Sequence, residues 1–267
     1  MAKKKKIPLP LCIHADKADY AVITPGQHLK PINGKIYWHI DEDTLTKDMD
    51  KYKTVFAFDQ AFKKWQAYFY PIILEPTGDK SKSQITIFFK HNGEVGLPHN
   101  FSSGVLAYAF APNNESLGIH ADMYFNDGYT WADMHKANSI YLFKVAVHEI
   151  GHTFNISHQT NDITDIMYPQ YQPNNDVLIN KDNQKAIYDL YKQYGVKLEG
   201  QAEVQPTVPD SNDLKLFIKS IFKSKGDIAR LSLNQINTFG AILGLNFLIS
   251  DKPQNRIDKI WAALARL

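Results

Sequence analysis

The stretch that most constrains this chain runs from Ser139 to Phe154, apolar almost all round, with Asn138 or Ser139 available before it as an N-cap. A segment of that kind predicts a helix buried on every side, so a packed domain must surround it. Inside it stand His148, Glu149, Ile150, Gly151 and His152, and six residues further on comes His158. Histidines at i and i+4 lie one turn apart on one helix face, where both imidazoles reach a single ion and the Glu beside the first points at the open coordination position. Three neutral imidazoles on zinc leave a fourth position for water, whose pKa falls toward about 7. Glu149 is then placed to take a proton from that water and deliver it to a leaving amine. The reaction implied is amide hydrolysis. The competing reading makes these histidines ordinary core or surface residues.

The surroundings favour the metal site. Asn155 stands where the helix must turn sharply if His158 is to swing back, and after Gly it is the side chain that best tolerates the left-handed conformation of such a turn. Met167, nine residues past His158, falls in the run Ile166 to Tyr171, which predicts a tight turn that places it beneath the metal. With 267 residues, 44% apolar and 12% aromatic, the chain can build one sizeable core and a small second unit, which excludes a disordered or collagen-like protein. A net charge of +2 excludes a nucleic-acid coat and a polybasic membrane binder. That charge is uneven: residues 210–267 hold nine Lys or Arg against five Asp. Cys12 is the single cysteine, so no intrachain disulfide forms. No apolar run approaches the roughly 20 residues of a membrane helix, so no span is expected. After Met1–Lys6, the residues Pro8, Pro10, His14, Asp16, Lys17 and Asp19 stand where a secretory signal would be apolar. Cytoplasmic synthesis is the expectation, with release by a non-classical route left open.

Periodicity predicts a strand over Lys35–Ile40, a helix over Lys51–Tyr70 with Val55, Phe58, Phe62, Trp65 and Phe69 on one face, and strands over Ile72–Glu75, Gln84–Phe89 and Val105–Phe110. Asp182–Tyr194 predicts a further helix ended by Gly195. Gly200–Asn212 has two prolines and little to bury and predicts a linker, after which Asp213–Ser224, Ser232–Gly244 and Pro253–Leu267 predict three helices. The domain plan is an N-terminal arm over 1–29, a main domain over 30–199, a linker over 200–212 and a small helical domain over 213–267.

His148 to His158, followed by Ile166 to Tyr171, resembles the metzincin zinc peptidases and within them the matrixins. Val105–Pro112 resembles that family's edge strand, Asp122–Trp131 the loop and strand after it, Lys63–Tyr68 the end of its first helix and Gln184–Gly195 its last, so that roughly residues 30–195 are covered. The fold implied is α+β: a twisted, mixed five-stranded sheet with three helices, to which the tail adds a small all-α C-terminal domain. The resemblance makes His148, His152 and His158 ligands of one catalytic zinc, Glu149 the general base and acid, Asn155 and Met167 structural residues at the site, and an extended polypeptide the substrate. Leu106 and Ala107 would pair with that substrate by main chain. Pro169 to Tyr171 would wall the pocket for the side chain after the scissile bond. Lys144 falls where family members vary that pocket's depth; it would narrow the pocket, favour an acidic side chain, or simply reach solvent.

The departures are equally specific. Tyr108 and Tyr124 replace the histidines of the family's second, structural zinc, which is therefore not expected; Asn126 and Tyr129 replace calcium-binding acids, leaving Asp122, so calcium binding is expected to be weak or absent. His91, His99, His120 and Asp122 are the candidates for a substitute site, with ordinary surface positions the competing reading. Cys12 lacks the flanking pattern of the family's inhibitory propeptide. The tail, with its surplus of four positive charges, is the candidate module for a protein or polyanion partner. A zinc endopeptidase is the first functional reading; the alternative is a catalytically silent or latent scaffold whose basic helical tail does the binding.

Overall fold

A computed structural model describes residues 27–112, 121–173, 177–198, 224–229 and 251–266, together with single positions between 219 and 247. Its centre is a mixed sheet in the order β2-β1-β3-β5-β4. Strand β1 (Lys35–Ile40) pairs in parallel with β2 (Ile73–Pro76) and with β3 (Ile85–Lys90), and β3 pairs in parallel with β5 (Met123–Asn126). The end strand β4 (Ala107–Ala109) runs antiparallel to β5. The expected α+β fold with a mixed five-stranded sheet is therefore present.

Alternation explains how the sheet takes up its helices. In β1, Ile36, Trp38 and Ile40 are buried while Lys35, Tyr37 and His39 are half-buried. Trp38 stacks on Phe62 of helix α1 (Lys51–Gln66), ring centroids 4.4 Å apart. Phe58 of the same helix meets Phe125 edge-on at 5.1 Å, so α1 spans the sheet from β1 to β5. Asp50 caps α1 by accepting from the Lys53 amide. The helix ends at Gln66, earlier than the periodicity suggested. Its apolar spacing carries on to Phe69 because the following turn keeps that ring buried against Phe154.

The second helix, α2 (Leu142–Thr153), is buried at every position but Phe143. It starts three residues later than expected, without the Asn138 or Ser139 cap. Ile140 and Tyr141 (β7) pair instead with Trp131 and Ala132 (β6), and Asn138 takes a left-handed turn at φ +61°. A pairing across the loop thus outcompetes a local cap. The two helices are joined by one directed bond, Trp65 Nε1 donating to the Val147 carbonyl at 2.8 Å. Helix α3 (Lys181–Tyr191) is capped by Asn180 and runs on through a tight turn to Gly195 at φ +90°.

The other side of the sheet carries a smaller cluster of rings. Phe88 stacks on Tyr124 at 5.0 Å, and Tyr108 lies 5.2 Å from both Tyr124 and Phe101. Tyr108 also donates its hydroxyl to the His99 carbonyl and accepts from the His99 amide. Burial pushes this phenol up to about 12, so it stays a donor at neutral pH.

The expected linker lies outside the described residues, as does most of the first two predicted tail helices. The third is present as Pro253–Leu264, with Ile257, Ile260 and Leu264 buried at helical spacing. A short helix at Lys225–Ala229 was not anticipated; Lys225 pairs with Asp258 at 3.0 Å. Phe222 stacks on Tyr52 of α1, ring centroids 4.9 Å apart. No helix among the described residues is long and apolar enough to cross a membrane.

Replacing Trp65 with Phe keeps the ring packing but leaves the buried Val147 carbonyl without this donor. The expected loss is about 1–3 kcal/mol, read from denaturant unfolding curves at unchanged m-value.

Candidate metal centre

The helix that carries the histidines ends in a Schellman motif. The Asn155 amide donates to the His152 carbonyl and the Ile156 amide to the Gly151 carbonyl, with Asn155 left-handed at φ +64°. This is the turn the sequence predicted there. It reverses the chain so that His158 returns to the helix face bearing His148 and His152. The Nε2 atoms of His148 and His152 stand 3.0 Å apart, and those of His152 and His158 stand 3.2 Å apart.

Two of the rings are oriented from behind. His148 Nδ1 lies 2.6 Å from the Ile166 carbonyl and His152 Nδ1 lies 2.7 Å from the Ile156 carbonyl. A carbonyl only accepts, so each Nδ1 carries the proton and each Nε2 turns a bare lone pair to the shared centre. Burial holds the His158 pKa down at about 4, so that ring too is neutral. Tetrahedral zinc with bonds of about 2.1 Å sets its nitrogen ligands about 3.4 Å apart. The observed separations fall a few tenths of an ångström short of that, and the donor set fits the ion. Among the described residues, these three histidines form the cluster whose ligand atoms converge. Glu149, beside His148, is fully buried.

Met167 is buried beneath the helix, as the turn implied. Asp165 builds that turn: its Oδ1 accepts from the Met167 amide at 2.6 Å, and both its oxygens accept from the Asn183 side chain of α3. Burial raises the Asp165 pKa, and these bonds oppose the rise. Sequence reasoning missed Asp165 and Asn183, which lie in polar stretches with no periodicity to mark them. It also attached no role to Gly151. A Cβ at that position would meet Met167 Sδ at 2.4 Å and Trp65 Cζ2 at 2.9 Å, so the close approach of both side chains to the helix needs glycine.

Beside His148 opens a cavity lined by Lys144, Val145, Ile163, Asp165, Tyr168 and Tyr171, among others. Of the two residues the sequence assigned to a pocket wall, Tyr171 lines this cavity and Pro169 does not. Lys144 is 6% exposed and does not reach solvent. Its ammonium donates to the Gln172 and Pro173 carbonyls at 2.8 and 3.2 Å, tying down the chain that borders the cavity.

Leu106 and Ala107 flank the start of β4. The Leu106 carbonyl accepts from the Asn126 amide and is therefore engaged within the sheet. Antiparallel alternation turns the main chain of Ala107 away from β5. Among the described residues, the candidates for a substitute metal site do not converge: His91 pairs with Asp127, His99 lies against Tyr108 and Phe110, and Asp122 accepts from the Thr86 amide. His120 is outside the described residues. Asn126 bonds to the Val105 carbonyl and the Gly128 amide, a loop-building role.

A buried helix with two histidines one turn apart, a left-handed turn returning a third, and a methionine turn beneath is the arrangement of the metzincin zinc peptidases. Within that class the chain belongs to the matrixin family, whose model matches residues 30–192. It is 28% identical to rabbit (Oryctolagus cuniculus) interstitial collagenase over 225 residues, covering 84% of this chain and 45% of that protein. It is 29% identical to matrix metalloproteinase-18 of Xenopus laevis over 185 residues, 69% of this chain and 38% of that one. To the metalloendoproteinase 1-MMP of Arabidopsis thaliana it is 32% identical over 163 residues, 55% of this chain and 42% of that one. The chain therefore spans less than half the length of these relatives. Matrixins are zinc metalloendopeptidases.

Gly151→Ala forces Met167 or Trp65 aside. The expected destabilisation is about 1–3 kcal/mol, seen as a lowered melting temperature together with weakened zinc retention on dialysis.

Proposed function

We propose that this chain is a zinc endopeptidase that cleaves extended polypeptides, with one zinc held by His148, His152 and His158. The observation that carries this reading is the convergence of three imidazole nitrogens, two from the buried helix α2 and one from the loop that follows it, beside the buried carboxylate of Glu149. When bound, zinc supplies the Lewis acid that polarises the scissile carbonyl and lowers the pKa of water.

The remaining work falls to the chain's own groups. The Glu149 carboxylate takes the proton of the attacking water at a carboxyl oxygen and hands it to the nitrogen of the leaving amine. The main chain of Ala107 pairs with the substrate backbone by strand addition, which aligns the peptide without reading its side chains. The cavity beside His148 receives the side chain after the scissile bond. Lys144, committed to two carbonyls, closes that cavity and sets its depth. Of the three earlier readings of this residue, the narrowing one agrees with its bonds. Tyr108 and Tyr124 hold the outer sheet face by ring packing where other matrixins are expected to bind a second zinc. We assign the peptidase to residues 30–199 and a separate binding unit, suited to an acidic protein or polyanion, to residues 213–267.

The test uses purified full-length protein, elemental analysis and a quenched peptide library. About one zinc per chain and hydroxamate-sensitive cleavage are expected. Glu149→Gln should retain the zinc and lose at least about a hundredfold in kcat/KM, the contribution of a positioned general base. Zinc bound without turnover in the parent would overturn the peptidase and leave the scaffold reading. Lys144→Met frees the Gln172–Pro173 segment, and preference should move toward longer apolar side chains by about tenfold in relative kcat/KM, the scale of one or two methylenes in a pocket.

A further inference from the structure

The turn that returns His158 to the metal is tied to a segment far away in sequence. Asn155 is 4% exposed, and its Nδ2 donates to the Gln27 carbonyl at 2.9 Å across 128 residues. A glycine would serve the left-handed backbone equally well but has no side chain to make this bond. The bond therefore asks for more than backbone tolerance.

The segment it grips is anchored at its other side. His28 Nε2 lies 3.0 Å from the Tyr194 hydroxyl and 3.1 Å from Gln193 Nε2. The imidazole ring packs edge-on against Tyr191 and Tyr194, and Leu29 is buried in the core. Tyr191 in turn touches Phe154, the residue before Asn155. Residues 27–29 thus bridge the end of α3 and the turn at the end of α2. Through its carbonyl at Ile156 that turn also orients His152 Nδ1. One short loop therefore governs two of the three imidazoles, and the N-terminal segment braces it.

We propose that Asn155 is a positioning residue: its hydrogen bond to Gln27 couples the docked N-terminal segment to the placement of His152 and His158, so that loss of docking loosens the metal. The proposal rests on the metal role assigned above to the three histidines, and it touches neither the substrate strand nor the pocket.

The test compares Asn155→Gly, which keeps the left-handed turn but removes the tether, with His28→Ala, which weakens the anchor, and with the double variant. Zinc release into excess chelator should quicken about fivefold in Asn155→Gly, the factor carried by one net hydrogen bond. His28→Ala should act in the same direction. The double variant should be no faster than Asn155→Gly alone, because both changes break one link. Turnover should show a lower kcat at unchanged KM, and amide hydrogen exchange over residues 155–158 should rise in each variant. Parental zinc release in Asn155→Gly would overturn the proposal. So would an inert His28→Ala, or effects that simply add. If the parent takes up no zinc, the metal assignment fails, and the exchange measurement alone decides whether the N-terminal segment braces the turn.

Discussion

Three neutral imidazoles facing one another, two from the buried helix α2 and one from the loop after it, are the constraint from which the rest of the architecture follows. Converging lone pairs repel, and a buried polar group without a partner is costly. The chain holds the arrangement by giving carbonyl oxygens to the back of two rings, those of Ile166 and Ile156. Each carbonyl comes from a turn and each turn has its own supports. Asp165 and Asn183 brace the one that carries Ile166 and Met167, while the left-handed Asn155 shapes the one that carries Ile156. Rigidity at the metal is thereby delegated outward, ring to carbonyl, carbonyl to turn, turn to helix α3 and to residues 27–29.

The sheet serves this centre chiefly as a wall. Trp38, Phe58, Phe62 and Phe125 fill the space between sheet and α1, and α1 is locked to α2 by the Trp65 bond just before His148. Packing at this density transmits small displacements, so a change deep in α1 reaches the converging histidines through a few well-filled contacts. Glycine at position 151 belongs to the same economy of space: Met167 and Trp65 sit against the bare backbone of α2.

How much of this could be read beforehand depended on how local the cause was. Histidine spacing, the left-handed turn at Asn155 and the methionine turn are short-range patterns, and they were legible. The start of α2 was misjudged because Ile140 and Tyr141 are claimed by Trp131 and Ala132, a competition that no inspection of 138–142 alone reveals. Of the three readings of Lys144, the one that reaches solvent is excluded by its bonds to the carbonyls of Gln172 and Pro173, which no local pattern foretells. The need for glycine at 151 and the reach of Asn155 to Gln27 arise from residues distant in sequence, so the residue types alone gave no sign of either. Of the tail helices expected, the last is present as Pro253–Leu264, while the short helix Lys225–Ala229 was not marked by the periodicity.

The end strand of the sheet is only three residues long, Ala107–Ala109, and antiparallel to its neighbour. Alternation leaves so short a strand few main-chain groups pointing away from β5. Two copies of the chain can therefore gain little by pairing through this edge of the sheet. The same brevity shifts the burden of recognition. On the proposed reading, a peptide aligned on this strand would draw limited affinity from its backbone, which would leave discrimination between peptides to whichever side chain enters the cavity beside His148.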